Sequence, residues 1–152
     1  MAAADQPAPI TFASPRGEHG YLSNFYPAPF TLKGVEWPTV EHYFQAQKFA
    51  GTPHEEAIRR TASPLIAARM GRSRARPLRP DWEAVKEVVM LEALRAKFTQ
   101  RADLGARLRA TGAAPLVEHR ARDTYWGDGP DGHGQNRLGA LLMRVRDELA
   151  DV

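Results

Sequence analysis

One predicted helix carries a carboxylate and an amine at a spacing that could support catalysis. The segment Trp37–Phe49 predicts a helix that begins after Thr39, a residue type favoured at the N-cap. Glu41, Gln45 and Lys48 share one face of that helix, and roughly 10 Å of axial rise separates the carboxylate from the amine. The two aromatic residues that flank this face are Phe44 and Phe49. The carboxylate and the amine could line opposite ends of a small-molecule pocket, although a solvated helix face would show the same pattern.

A glycine-rich stretch, Asp123–Asn136, is the second candidate site. Its Gly127, Gly129 and Gly132 satisfy G-x-G-x-x-G, but Pro130 interrupts the motif and no second βα unit follows, which excludes a dinucleotide-binding fold. Glycines that lead into a helix can still offer backbone N–H groups to a phosphate. A long, turn-rich connection is the alternative.

Three aromatic residues lie within three residues of Asp81 or Asp123 and are candidates to stack on a planar base: Trp82, Tyr125 and Trp126. Such stacking contributes about 1–3 kcal/mol per base. Packing in the core is the alternative for each of them. Trp37 and Phe98 are predicted to be core residues.

The composition narrows the kinds of site that the chain can hold. The 152 residues include no cysteine, which excludes disulfides, zinc ribbons and thiolate catalysis. The five histidines show no paired i, i+4 spacing, so neither a metal nor another cofactor is expected. Without a signal peptide or a membrane-spanning run, we expect a cytoplasmic protein that contacts no membrane. P-loop, nucleophile-elbow and kinase motifs are absent, which leaves carboxylates and one helical lysine as candidate catalytic groups.

The charge favours anionic ligands. The net charge is +3 and the pI about 9.5, an excess too small to indicate nucleic-acid binding by itself. The segment Arg72–Pro80 contains four arginines, namely Arg72, Arg74, Arg76 and Arg79. It could be a solvated loop or a phosphate-binding edge.

Periodicity and capping signals predict a helix-rich α+β fold with about six helices and a few short strands, in one domain over residues 10–152. Residues 1–9, rich in alanine and proline, are predicted to form a flexible tail. The predicted strands are Ile10–Phe12, a hairpin within Pro29–Trp37 that turns at Lys33-Gly34, and Leu116–His119. The predicted helices are Val40–Ala50, Pro53–Arg60 capped by Thr52, Pro64–Gly71 capped by Ser63, Trp82–Phe98 capped by Asp81, Leu104–Ala110, and a last helix capped by Asn136. The buried residues predicted for the two longest helices are Val85, Val88, Val89, Leu91 and Leu94, then Leu138, Leu141, Leu142, Val145 and Leu149.

Several motifs together resemble the YbiA-like, or NADAR, family. They are Tyr21–Tyr26, Trp37–Phe49, the pair Asp81-Trp82 with Lys86 and Met90, and Gly139–Met143 with Val145-Arg146. The resemblance runs from about Phe12 to Leu149. It implies a compact, mainly helical N-glycosidase with one of two substrate classes. One class is the phosphorylated ribosylamino-pyrimidine intermediates of riboflavin biosynthesis, and the other is ADP-ribose attached to guanine, including guanine in nucleic acid.

The resemblance also implies roles for individual residues. Glu41 and Asp123 match the family's functional carboxylates, and Trp82 matches its functional tryptophan. Lys48 matches the lysine implicated, in the ADP-ribose branch, in capturing the C1′ carbon of the sugar. We expect Glu41 to stabilise positive charge on the ribose and to activate water, while Asp123 orients the sugar hydroxyls or serves as the partner acid. The residues expected to contact the substrate are Ser23, Asn24, Phe25, Trp82, Tyr125, Trp126, Gly127, Gly129 and Asn136.

Three functions are compatible with these residues, and the favoured one is an N-glycosidase acting on riboflavin intermediates. The alternatives are an ADP-ribosyl glycohydrolase that removes ADP-ribose from guanine, and a non-catalytic module that binds ADP-ribose or a nucleotide. A module that does not cleave its ligand has no need of Glu41, Asp123 and Lys48 together, which favours an enzyme. The expected partner is a phosphorylated ribosyl molecule or ADP-ribose.

Overall fold

A computed structural model of the protein describes residues 6–151. Within that range the chain forms six α-helices, one short 3₁₀ helix and four short strands in two separate two-stranded sheets, which confirms the helix-rich α+β class. In chain order the elements are β1 (Ile10–Phe12), the 3₁₀ helix (Gly20–Leu22), β2 (Phe30–Leu32), β3 (Val35–Trp37), α1 (Val40–Gln47), α2 (Pro53–Arg59), α3 (Pro64–Arg72), α4 (Trp82–Gln100), α5 (Ala102–Ala110), β4 (Leu116–Glu118) and α6 (Arg137–Ala150).

The described residues group into two compact units. One is Pro27–Gln100, and the other combines the residues up to Tyr26 with those from Arg101 onward. The assignment of one domain to residues 10–152 stays a prediction. Of the predicted tail, residues 1–5 lie outside the described part of the chain, whereas Gln6 to Pro9 are exposed. No helix within residues 6–151 is long and apolar enough to cross a membrane.

In the unit Pro27–Gln100, the hairpin and the starts of three helices form where the local signals predict them. Strands β2 and β3 pair antiparallel, and the turn residues Lys33 (φ 58°) and Gly34 (φ 77°) both have the left-handed conformation that a tight hairpin turn requires. The side-chain oxygens of Thr39, Thr52 and Ser63 accept hydrogen bonds from the first turns of α1, α2 and α3. These caps confirm the predicted helix starts.

All four helices in this unit end one to three residues away from the predicted position. Helix α1 ends at Gln47, three residues before the predicted end, and the chain continues through turns to Gly51, whose φ is 81°. Helix α3 continues to Arg72, so Gly71 lies inside the helix and does not close it. The glycine serves packing, because a Cβ there would lie 1.8 Å from the Oε1 atom of Gln45.

Helix α4 is the longest helix and supplies much of the core of its unit. Its buried residues are Trp82, Val89, Met90, Leu91, Ala93, Leu94, Ala96, Lys97 and Phe98. The prediction that Val88 faces inward is wrong: it is 60% exposed, because it lies about 200° around the helix from Met90. Val85 is only half-buried. The carboxylate of Asp81, predicted to cap this helix, accepts hydrogen bonds from Arg79 at 2.7 and 3.0 Å.

In the other unit, a parallel strand pair supports the last helix. Strand β1 pairs with β4, with Ile10 opposite Leu116, and α6 packs against β4 and α5. The approach of α6 is close, because a Cβ at Gly139 would lie 2.0 Å from the carbonyl oxygen of Leu116. The predicted inward residues Leu138, Leu141, Leu142 and Val145 are buried, whereas Leu149 is half-buried.

Candidate active site

The polar face of α1 is buried, so the alternative of a solvated helix face is wrong. Glu41, Gln45 and Lys48 are 9%, 6% and 8% exposed. Helix α1 packs against α2, α3 and α4, and all eight of its residues are buried. Polar groups in such surroundings need partners inside the protein, because water is not available to them.

The carboxylate of Glu41 is held by the side chain one helical turn later. Gln45 Nε2 donates a hydrogen bond to Glu41 Oε2 at 2.8 Å, which is the contact that i, i+4 spacing on a helix makes available. The Oε1 atom of Gln45 is buried and accepts no hydrogen bond from the described residues. It points at the backbone of Gly71, where any larger residue would collide with it. Gly71 therefore leaves the space that Gln45 needs to hold the Glu41 carboxylate.

The backbone of Gly71 also contacts the amine. Lys48 Nζ donates to the carbonyl oxygen of Gly71 at 3.5 Å, and Arg74 Nη1 donates to the same oxygen at 2.8 Å. Two cationic side chains thus share one carbonyl near the end of α3. The sequence did not indicate this role, because Gly71 has the spacing expected of an ordinary helix-ending glycine.

Burial is the main reason that the pKa of Lys48 is lower than that of an ordinary lysine. The pKa of Lys48 is lowered from 10.5 to about 8, first by burial and then by the positive charges of Arg74 and Arg72, while the carboxylates of Glu41 and Glu83 oppose the shift. A lysine with this pKa is partly neutral near physiological pH and can act as a nucleophile as well as a cation.

Two aromatic rings lie beside the amine. Lys48 Nζ is 5.8 Å from the ring centre of Phe44 and 5.9 Å from that of Trp82. The two rings meet edge to face, with their centres 5.1 Å apart. Of the two aromatic residues predicted to flank the polar face, Phe44 therefore lies beside the amine, whereas Phe49 packs on the ring of His54. Trp82 is 5% exposed. The structure places Glu41, Lys48 and Trp82, three of the predicted site residues, within the same unit.

The second predicted carboxylate, Asp123, lies in the other unit and is held by backbone groups. Its Oδ1 atom accepts hydrogen bonds from the N–H groups of Tyr125 and Trp126, at 3.0 and 2.8 Å. This geometry fixes a tight turn of the kind that aspartate favours. The rings of Tyr125 and Trp126 meet edge to face at 4.9 Å, and both side chains are half-buried. Asp123, Tyr125 and Trp126 are therefore one locally organised cluster.

The start of α6 differs from the prediction. Asn136 precedes the helix, but its φ is 49° and its side chain makes no cap hydrogen bond. The amide instead joins α6 to β4, accepting from Glu118 N at 3.0 Å and donating to Leu116 O at 2.9 Å. The left-handed backbone turns the side chain away from the helix, which is why the N-cap pattern is misleading here.

The backbone N–H groups at the start of α6 already have partners. Those of Asn136, Arg137 and Leu138 donate to carbonyl oxygens of the preceding loop, at Gly127, Tyr125 and Trp126. They are therefore not offered to a phosphate. Gly127 and Gly129 are buried, and Gly129 has a φ of 72°. Substrate contacts at these two glycines and at Asn136 stay predictions.

The remaining predicted contacts follow the 3₁₀ helix. Ser23 and Asn24 are buried and Phe25 is half-buried, and the hydroxyl of Ser23 accepts a hydrogen bond from Phe25 N at 3.1 Å. Within residues 6–151, no group of three or more histidine, aspartate or glutamate side chains could hold a metal ion. A separate cavity of about 230 Å³ in the unit Pro27–Gln100 is lined by Lys33, Val35, Trp37, Thr52, Glu55 and Glu56, and not by the predicted site residues.

Known proteins with the same fold and sequence pattern define the class of this one. A model of the NADAR domain matches residues 11–150. N-glycosidase YbiA of Escherichia coli is 57% identical over 141 residues, which cover 93% of this chain and 88% of the relative. The NMR structure of Escherichia coli YbiA matches with a TM-score of 0.88 and 55% identity, covering 96% of this chain and 87% of that one. The chain belongs to the NADAR family.

More distant relatives carry related names. An N-glycosidase of Nostoc punctiforme is 42% identical over 137 residues, covering 88% of each chain. A riboflavin biosynthesis protein of Vibrio vulnificus is 44% identical over 143 residues, covering 94% of this chain and 39% of the longer relative. The two relatives named above that match over most of both chains are N-glycosidases, and this protein is an N-glycosidase. The alternative of a non-catalytic binding module finds no support among them.

Proposed function

We propose that this protein hydrolyses the C1′–N bond of phosphorylated ribosylamino-pyrimidine intermediates of riboflavin biosynthesis. The observation that carries the proposal is the buried face of α1, where Glu41 and Lys48 lie with Gln45 between them. The N-glycosidase names of the relatives and the riboflavin-related name of the Vibrio vulnificus protein support the substrate class.

In this proposal Glu41 acts on the sugar carbon. Breaking the C1′–N bond leaves its electron pair on nitrogen, which takes up a proton, and develops positive charge on the ribose. A buried carboxylate stabilises that charge and accepts a proton from the water that adds to C1′. The hydrogen bond from Gln45 restricts the carboxylate to one orientation. Asp123 is proposed to bind the sugar hydroxyls or to act as the partner acid.

A second candidate is favoured by one observation, the lowered pKa of Lys48. An amine with a pKa of about 8 is neutral in about a tenth of molecules at pH 7. A neutral amine can attack C1′ of the ring-opened sugar while C1′ is still doubly bonded to the guanine nitrogen. That nitrogen then leaves with a proton, C1′ forms a Schiff base with Lys48, and water hydrolyses the Schiff base to the free C1′ aldehyde. That chemistry suits removal of ADP-ribose from guanine. In the riboflavin branch the same lysine serves as a cation beside the phosphate.

Product analysis tests the two candidates. The purified protein is incubated with each ribosylamino-pyrimidine intermediate and with ADP-ribosylated guanosine, without added metal or nucleotide, and the products are identified by mass spectrometry. We expect ribose 5-phosphate from the pyrimidine intermediates. Release of ADP-ribose alone would favour the second candidate. Loss of activity on adding a chelator, or no activity on either substrate, would contradict the proposal.

A further inference from the structure

The arginines of the unit Pro27–Gln100 differ in whether a carboxylate neutralises them. Arg59 and Arg60 both pair with Glu56, and Arg79 pairs with Asp81. Four arginines lie between these pairs, and none of them forms an ion pair within residues 6–151. Three of the four, Arg72, Arg74 and Arg76, fall within five residues and have exposed side chains. Three like charges within five residues repel one another unless an anion joins them.

The segment Arg72–Pro80, which carries these three arginines, is linked by hydrogen bonds to Lys48, the residue after α1, near both of its ends. At one end, Arg74 Nη1 and Lys48 Nζ donate to the same carbonyl oxygen, that of Gly71. At the other end, Arg79 N donates to the carbonyl oxygen of Lys48 at 3.0 Å. The segment therefore begins and ends against the residue that carries the candidate amine.

The charges of the segment act on that amine. Among the charged groups that influence Lys48, Arg74 has the largest effect and Arg72 also lowers its pKa, against the opposing carboxylates of Glu41 and Glu83. The segment thus makes the protonated amine less favourable when no ligand neutralises the arginines. An anion bound by the arginines would remove part of that repulsion and raise the pKa of Lys48.

We propose that Arg72 and Arg74 form a phosphate-binding subsite beside Lys48, which takes the phosphate of a ribose 5-phosphate group or the diphosphate of ADP-ribose. The guanidinium group suits this ligand, because its planar array of N–H donors can bind two phosphate oxygens at once. The inference rests on the proposed function in one respect, namely that the sugar carbon of the same ligand lies at Glu41. It assigns a role to a segment whose sequence was equally compatible with a solvated loop.

Binding without turnover tests the subsite. Isothermal titration calorimetry would measure the affinity of ribose 5-phosphate, ADP-ribose and ribose for the wild type, for Arg72→Gln/Arg74→Gln, and for Arg60→Gln. The last variant removes one charge from the same unit at an arginine that pairs with Glu56. We expect the double variant to bind ribose 5-phosphate roughly tenfold to a hundredfold more weakly, with Arg60→Gln within about twofold of the wild type.

One further double variant, thermal melts and a chemical readout exclude trivial explanations. Arg72→Lys/Arg74→Lys keeps the charges and should retain part of the affinity, and thermal melts would show that every variant is folded. Labelling of Lys48 by an amine-reactive reagent, followed by mass spectrometry, should shift to higher pH when ribose 5-phosphate is bound to the wild type. No such shift is expected in Arg72→Gln/Arg74→Gln.

The outcomes separate the subsite from the proposed function. Arginine-dependent binding of ribose 5-phosphate without any hydrolysis would keep the subsite and contradict the glycosidase substrate. Full hydrolysis by Arg72→Gln/Arg74→Gln with an unchanged KM would overturn the subsite alone. No binding to the wild type, or equal weakening by Arg60→Gln, would also overturn it. A preference for ADP-ribose over ribose 5-phosphate would assign the subsite to a diphosphate.

Discussion

The two predicted carboxylates are held in different ways. Glu41 is 9% exposed and is bound by the side chain of Gln45, on a helix whose every residue is buried. Asp123 is half-buried and is bound by the backbone N–H groups of Tyr125 and Trp126. One carboxylate thus depends on packing between helices, whereas the other depends on the turn that it forms itself.

Because of this difference, a substitution can remove the charge without changing the local structure more easily at Glu41 than at Asp123. Replacing Glu41 by an amide leaves an oxygen that Gln45 can still bind, so the charge can be removed while the packing is kept. In the Asp123 turn, the same oxygen that could contact a substrate also organises the backbone. An Asp123 variant that loses activity therefore needs a control for structural damage, and a Glu41 variant needs that control less.

The largest effect is expected from Glu41→Gln. If the carboxylate stabilises positive charge at C1′ and accepts a proton from water, its loss should lower kcat by about 10²–10⁴-fold. Thermal melts and ligand titration should remain close to the wild type, because Thr39 still caps the helix. Glu36→Gln, at an exposed position in β3, is the matched control and should be fully active. Unfolding of Glu41→Gln would mean that this glutamate is structural.

Short-range signals predicted the elements of the fold well. The caps at Thr39, Thr52 and Ser63 and the Lys33-Gly34 turn act within a few residues, and each forms as expected. Val88 was assigned to the wrong face because the five apolar residues of α4 that were predicted to be buried do not all lie on one face of the helix. They are compatible with more than one apolar stripe. Only the neighbours of α4 decide which stripe is buried.

Long-range contacts explain what the sequence did not predict about the candidate site. Periodicity placed Glu41, Gln45 and Lys48 on one face, but whether that face was buried depended on α3 packing against it. The carbonyl oxygen of Gly71 accepts a hydrogen bond from Lys48 across more than twenty residues of sequence, and the guanidinium of Arg74 donates to the same oxygen. Similarly, Asn136 binds β4 across a long loop, a partner that no local capping pattern specifies.

Lys48, the amine on the same buried helix face as Glu41, has two candidate roles that an experiment can distinguish. If Lys48 forms a Schiff base, borohydride added during turnover should trap a sugar on Lys48. The trapped fraction should rise with pH around a midpoint near 8, because the neutral amine is the reacting form. If water attacks C1′ directly, Lys48→Ala should instead weaken binding of the phosphorylated substrate by roughly tenfold to a hundredfold, with no adduct. Full activity of Lys48→Ala without any adduct would contradict both roles.

Gly71→Ala should show that the buried carboxylate depends on packing between α1 and α3. The new Cβ would lie 1.8 Å from Gln45 Oε1, so we expect a loss of about 1–3 kcal/mol in the free energy of unfolding. At a helix position without that contact, alanine would be the more stable residue. In a Gln45→Ala background the two shortest contacts of the new Cβ are removed while the contact with Cβ of residue 45, at 2.8 Å, persists, so the cost should fall. Equal costs in both backgrounds, measured by denaturant unfolding, would contradict this explanation.

The smallest effect on stability, and the sharpest separation of the two roles, is expected at Asp123. Asp123→Asn keeps an Oδ1 atom that can accept from Tyr125 N and Trp126 N, so its free energy of unfolding should stay within about 0.5 kcal/mol of the wild type. Asp123→Ala removes that acceptor and should cost about 1–2 kcal/mol, because two backbone N–H groups lose their partner. Measured by denaturant unfolding, the pair of variants isolates the turn from the charge.

Activity of the same two variants then decides what the turn is for. If the carboxylate orients the sugar or acts as the partner acid, Asp123→Asn should be folded and nearly inactive, as Glu41→Gln is expected to be. If Asp123 only organises the backbone beneath Tyr125 and Trp126, Asp123→Asn should be active and only Asp123→Ala impaired. The second outcome would leave Glu41 as the one catalytic carboxylate, because an amide that preserves the hydrogen bonds would then preserve the function as well.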